Sequence, residues 1–248
     1  MPGLTAAATI DLWEQADHLP PIERAVALAA AADPSSDAAA VARLPLGRRD
    51  ERLLRLRSEL TSRPLDATAA CPACGQRVEF DADADTLAAM ADGTAASAPA
   101  SLEADGFRVS WRPPDSDDVI AASAAGLADD AERVLLGRCV SFASGPDGDV
   151  DPNELPRPVR VAVSRAMAEA DPLAEIVVSL TCPACSTTFD ADLDIAGFVW
   201  TELRGRARRL LHEVAVLARA FGWTEGQVLA LPERRRAGYL DLVRGEFA

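Results

Sequence analysis

The chain has 248 residues, is 49% hydrophobic but only 5% aromatic, and carries a formal net charge of −14. That length allows one large domain or two small ones, with a core made mostly of alanine and aliphatic side chains. The charge speaks against a broad, sequence-blind grip on nucleic acid, and no apolar run approaches the ~18 residues of a membrane span.

The opening MPGLTAAATIDLWEQADHLPP lacks a basic n-region, and acids interrupt its apolar residues. It does not read as a signal peptide, so the expected location is the cytoplasm. Leu12, Trp13 and Ala16 begin a helical stripe that Pro20-Pro21 interrupts. Ile22, Val26, Leu28 and Ala29 carry a second helix that should stop before Asp33-Pro34, because the residue before proline avoids the α region. Leu44-Pro45-Leu46-Gly47 reads as a turn. The segment RRDERLLRLRSEL then sets Leu53, Leu54, Leu56 and Leu60 among charges, which suits an amphipathic helix.

Beyond a first cysteine pair, Arg77-Val78-Glu79-Phe80 alternates as a short strand does. Residues 81–101 are acidic, then small and polar, and read as a linker with one short helix. Phe107–Trp111 alternates again and ends at Pro113-Pro114. Helices are expected at about 117–125, 129–139 and 155–170. The loop SGPDGDVDPN at 144–153 lacks the spacing and terminal glutamate of a calcium loop. Ile176–Leu180 reads as a strand that delivers a second cysteine pair, and Thr187-Thr188-Phe189 as another that leaves it. One long helix is expected over 194–221, with Gly222 as its stop. Thr224–Gln227 is a capping box, with Trp223 poised to staple onto Val228, and a last helix starts near Pro232.

Four of the five cysteines spell one word twice: CPAC at 71–74 and CPAC at 182–185. Both copies run into a short alternating segment that ends in Asp-Ala-Asp. In a cytoplasmic chain such pairs indicate metal or redox chemistry before structural disulfides. A structural zinc site takes four thiolates in a tetrahedron, and each CxxC turn supplies two. Cys71, Cys74, Cys182 and Cys185 are therefore the expected ligands of one structural zinc ion per chain. The long gap costs little, since loop closure grows only logarithmically with length, and zinc binding can contribute on the order of ten kcal/mol to folding. The expected fold class is α+β, predominantly helical, with a small split zinc ribbon made of two CxxC knuckles on short β-hairpins. The expected units are a helical region at 1–63, the split ribbon at 64–81 and 174–193, an insertion at 82–173, and a C-terminal long helix and helical hairpin at 194–248.

Two other functions remain open. A dithiol oxidoreductase also uses CPxC words, but it places the first cysteine at a helix N-terminus, whereas each CPAC here leads into a strand. A zinc-ribbon nucleic-acid binder would use Arg204, Arg206, Arg208 and Arg209 or Arg234-Arg235-Arg236; these also suit a solvated helix face. A closed shell of four thiolates leaves no position for catalysis. Of the two histidines, His212 lies among charges on the long helix and His18 at a helix end, and neither is placed as a general base. Cys139 reads as a buried small hydrophobe.

Several stretches together resemble a known family. LPLGRRDERLLRLRSEL leading into CPACGQRVEF resembles the LPxGxRDxxLLxLR…CPxCGE segment of baseplate proteins of T-even-type phages, with relatives in gene clusters for extracellular contractile injection systems. LLHEVAVLARAFGWTEGQVLALPERRRAGYLDLV resembles the close of those proteins, and DLWEQADHLPPIERAVALAAAADP their start. The likeness covers roughly the first 80 and last 70 residues and leaves about 81–170 unmatched. It implies a non-enzymatic hub assembly chaperone or minor baseplate component whose partners are baseplate or hub proteins; separately, the acidic charge argues against a nucleic-acid partner and the lack of an apolar span against a membrane one. Gly47, Arg49, Asp50, Cys71, Cys74, Trp223, Arg235, Arg236 and Tyr239 match its motifs. Ser186 stands where the first knuckle has Gly75, so the second knuckle is expected to be less regular.

Overall fold

The computed structural model describes residues 4–33, 35–61, 64–92 and 100–245. Pro34, residues 62–63 at the end of the expected helical region, the middle of the expected linker (93–99) and the last three residues lie outside them. The chain is an α+β protein, mostly helical, with three small antiparallel sheets.

Helices α1 (Ala6–Asp17), α2 (Pro21–Ala31), α3 (Ala38–Ala42) and α4 (Leu46–Leu60) open the chain. Thr5 caps α1 by accepting the Ala8 N–H at 3.2 Å, and Pro21 occupies the first turn of α2, where its missing donor costs nothing. The brief α3, capped by Asp37, was not expected from the sequence. Nor is Leu44–Gly47 wholly a turn, since α4 already begins at Leu46. Its first N–H groups find acceptors far along the chain: Leu46 donates to the Pro114 carbonyl at 3.2 Å, and Gly47 to Asp171 Oδ2 at 2.9 Å. The helix N-terminus is thus satisfied by tertiary contacts that no local pattern announces. Gly47 is required there, because a Cβ would fall 2.0 Å from Asp171 Oδ1 and 2.9 Å from Leu173 Cβ.

Hairpin β1 (Leu65–Ala70)–β2 (Arg77–Ala82) and helix α5 (Ala84–Asp92) follow. Leu87 of α5 packs into the main core, so α5 joins the helical body although it lies within the stretch read as insertion. A separate lobe begins at β3 (Ala100–Ala104). It contains β4 (Phe107–Trp111), α6 (Ser116–Ser123), α7 (Ala128–Cys139), β5 (Val140–Gly145), β6 (Gly148–Asp149) and α8 (Arg157–Ala170). Its sheet runs β3-β4-β5-β6 and covers a core of its own, in which Val109, Trp111, Val159 and Val163 are buried. The helices of this lobe and β4 follow from the sequence pattern, whereas the sheet does not.

Hairpin β7 (Val177–Thr181)–β8 (Thr188–Asp192) returns the chain to the body. Helix α9 (Ile195–Phe221) then runs 27 residues, about 40 Å. Leu28, Leu53, Leu56, Ile195 and Leu203 are fully buried where α2, α4 and α9 meet. Arg57 seals this seam with 2% exposure, donating to Glu202 at 3.0 Å and to the Pro64 carbonyl at 2.8 Å. Gly222 ends α9 at φ 70°. The expected capping box at Thr224 and Gln227 starts α10 (Glu225–Leu229), and α11 (Glu233–Arg244) folds back on α9 through Leu217, Val228 and Leu240. None of the described helices is long and apolar enough to cross a membrane.

Candidate metal centre

Each CPAC word occupies the turn of a hairpin. In the first, Ala70 pairs with Arg77, which leaves the six residues 71–76 as the turn. In the second, Thr181 pairs with Thr188 and leaves 182–187. The two turns are held alike. Cys71 N–H donates to the Gln76 carbonyl at 2.8 Å and Gly75 N–H to the Cys71 carbonyl at 2.9 Å. Cys182 donates to Thr187 and Ser186 to Cys182, both at 2.9 Å. Gly75 has φ 75° and Ser186 φ 59°. The second knuckle is therefore as regular as the first, contrary to the expectation from its missing glycine, because Ser186 itself adopts the left-handed conformation.

The hairpins also correct the apparent repeat. Counted from the knuckles, Val78 matches Phe189, so the two Asp-Ala-Asp words are offset by two residues. A shift of two keeps each side chain on its original face. Val78 is buried beside Cys71 and Cys182, and Leu180 and Phe189 pack against the same small cluster.

The turns face each other and bring together all four predicted cysteines. Their sulfur atoms lie within 4.8 Å of one another. Cys71 Sγ is 3.7 Å from Cys185 Sγ, and Cys74 Sγ is 3.6 Å from Cys182 Sγ. A tetrahedron with metal–sulfur bonds of about 2.3 Å has edges of about 3.8 Å, so these separations fit one shared ion. They are far from the ~2.05 Å of a disulfide, and all five cysteines are free. Cys71 and Cys182 are buried, while Cys74 and Cys185 are exposed. Each short cross-contact joins an inner thiol of one knuckle to an outer thiol of the other. The cluster can hold a metal ion with a closed sulfur shell, and neither knuckle opens a helix.

The thiols do not share charge equally. The Cys185 thiol is lowered to about 6 by the Thr187 hydroxyl, 3.3 Å away, by the Thr187 N–H, and by the neighbouring thiols. Cys74 takes a backbone hydrogen bond from Gln76 that lowers it, yet Cys185, burial and the other thiols push it up to about 12. The asymmetry follows from Thr187 standing where the first knuckle has Gln76. The sequence pattern marks Thr187 only as a strand residue.

The other candidates sit elsewhere. His18 and His212 are exposed, and His18 ends α1. Cys139 is buried as expected, and burial together with Asp118 pushes its thiol up to about 12. The two arginine clusters are not uniformly solvated. Arg236 is 4% exposed and donates to Glu213 and to the Leu231 carbonyl, and Arg206 donates to the Leu60 carbonyl at 2.7 Å. Arg204, Arg208, Arg209, Arg234 and Arg235 are exposed.

The residues of the LPxGxRD-like stretch build the joint between body and lobe. Besides Gly47 on Asp171, Pro45 bridges Asp115, Arg49 donates to Ser116 Oγ at 3.3 Å, and the buried Asp50 accepts from Arg49 at 2.7 Å. Beside that joint, Asp118 is fully buried. It accepts from Arg112 at 2.6 and 3.0 Å, from Arg138 at 2.7 Å and from the Asp115 N–H at 3.0 Å. Compared with protein-family models, curated proteins and solved structures, the chain matches none.

Proposed function

We propose that this chain is a non-enzymatic assembly factor or minor component of the baseplate of a contractile, phage-tail-like particle, held in shape by a structural zinc ion on Cys71, Cys74, Cys182 and Cys185. The observation that carries the non-catalytic part of this reading is the closed cluster of four thiols. It leaves an ion no open position at which water or substrate can bind, so the ion clamps two distant segments and the work falls to protein surfaces. The resemblance of the opening, the LPxGxRD-like stretch and the close to T-even-type baseplate proteins supplies the biological setting. The joint built by Gly47, Arg49 and Asp50 gives those motif residues a structural purpose consistent with it.

Elemental analysis of purified protein tests the metal. One zinc per chain is expected, reduced to background in Cys182→Ser; iron, or no metal, contradicts the zinc reading. Affinity capture from cells expressing the whole gene cluster tests the setting, with a baseplate or hub protein as the expected catch. Capture of no such protein counts against it. The exposed arginines of α9 and α11 favour a second reading, nucleic-acid binding, which steeply salt-dependent binding to duplex or single strands would reveal.

A further inference from the structure

Seven large apolar side chains are exposed among the described residues, and six of them gather at two places. The first is a groove of about 940 Å³ between α7 and α8. Ala128, Ala131, Leu135, Val161, Met167 and Val177 line it. Val161 is 59% exposed, Val177 48%, and Leu127, which precedes the groove wall at Ala128, 69%. Glu132 and Glu175 line the groove too, and Arg160, the one arginine in the lining, is already paired with Glu132 at 3.2 Å. Asp129 and Asp130 occupy the first turn of α7. The lobe carrying this groove, residues 100–175, has fifteen acidic residues against seven arginines, a net charge of −8.

The second place lies at the end of α9 and on α11, in a basic stretch of the chain. Phe221 stacks on Trp223 with ring centres 4.8 Å apart, and Tyr239 meets both rings edge-on at 5.7 and 4.8 Å. Leu242 and Val243 follow Tyr239 by three and four residues and so share its face of α11. They are 54% and 41% exposed in the last turn of α11. Arg235 is exposed one turn before Tyr239, and Arg244 closes the helix. Residues 204–244 hold nine arginines against four acids, a net charge of +5 in a chain of −14.

We propose that these two surfaces bind each other between copies: the end of α11 in one molecule lies in the α7–α8 groove of the next. The groove is apolar with an acidic lining, and the α11 face is apolar and flanked by the exposed Arg235 and Arg244. Both are built into the same chain at different sites. This is a helix laid into a groove, with charge selecting the pairing and apolar area holding it. Because the two surfaces differ, the contact is head-to-tail, and it continues beyond two molecules unless it closes into a ring. The inference does not rest on the metal or on the baseplate reading.

The test uses full-length, metal-loaded protein with an untagged C-terminus, followed by light scattering or sedimentation from low to high micromolar concentration. The weight-average mass should rise above the 26.2 kDa of one chain and fall back as salt is added. Val161→Asp in the groove and Leu242→Asp on α11 should each weaken association by about tenfold or more, as for a buried apolar anchor. Each variant keeps one intact surface. An equimolar mixture of the two should therefore form dimers and go no further, with unchanged helicity and metal content showing that both are folded. A wild-type chain that stays monomeric overturns the proposal. So does association that survives either substitution, or a mixture that fails to pair.

Discussion

Ser186 holds a backbone conformation, φ 59°, that costs a residue with a Cβ about 1–2 kcal/mol. Its counterpart Gly75 bears no such cost. Ser186→Gly should raise stability, by about 1 kcal/mol once the greater freedom of glycine in the unfolded chain is deducted, and melting of the metal-loaded protein reads the gain. The neighbouring Thr187 sets the order in which the thiols ionise. In metal-free protein, the first thiolate should form near pH 6, at Cys185, and be visible by ultraviolet thiolate absorbance. Thr187→Val should move that step upward. The sign follows from a folded value below the ordinary 9.0: the stabilisation from Cys185 is complete above 9 and is lost as the pH falls through about 6. Acid should therefore expel a bound metal cooperatively, since protons compete for the same sulfur lone pairs.

At the scale of elements, the clasp around Asp118 decides whether the lobe keeps its form. Burial raises this carboxyl, but Arg112, the Asp115 N–H and Arg138 outweigh it and hold the group at about 2. Its contribution is complete above the ordinary 3.8 and fades as the pH drops toward 2. Hydrogen exchange should show β4, α6 and α7 opening across that window before the helical body does. All 25 basic residues of the chain are arginine, and Arg112 illustrates the use: its two ends each reach one oxygen of the same carboxylate. Arg112→Lys keeps the charge but loses the fork, at an expected cost of about 1.5–3 kcal/mol in chemical denaturation. The helices were legible in the sequence because the apolar residues of α2, α4 and α9 repeat at 3.6-residue spacing. The metal ligands were legible because CPAC is a short word with strict chemistry. The sheet of the lobe was not. Val140–Gly145 follows α7 without a break, and Ala100–Ala104 has Leu102 as its one large apolar residue, so its strand is fixed by pairing with Phe107–Trp111. Asp171 directly follows the helix expected at 155–170, and nothing local shows that its carboxylate meets Gly47.

Across the whole molecule, the main core is assembled from α1–α5, α9 and the bases of both hairpins, through Leu65, Leu173, Ile176 and Leu193, while the knuckles project from it. Removal of the metal should therefore loosen the hairpins and leave most of the helix content in place. With a chelator, circular dichroism should retain the helical signal, and lost exchange protection should concentrate in 65–82 and 177–192. Collapse of the entire spectrum would mean that the clamp supports the body as well. The separation of the ligands also has a consequence in time. Cys74 and Cys182 meet across 108 residues, so a ribosome adding about 5–20 residues per second exposes the first thiol pair for roughly 5–20 s before its counterpart is made. During synthesis each nascent chain passes through an interval in which only one of the two thiol pairs exists. Oxidants and competing soft metals can capture the waiting pair in that interval, and, on the zinc reading proposed above, the yield of correctly metallated protein should depend on how reducing and how zinc-replete the producing cell is.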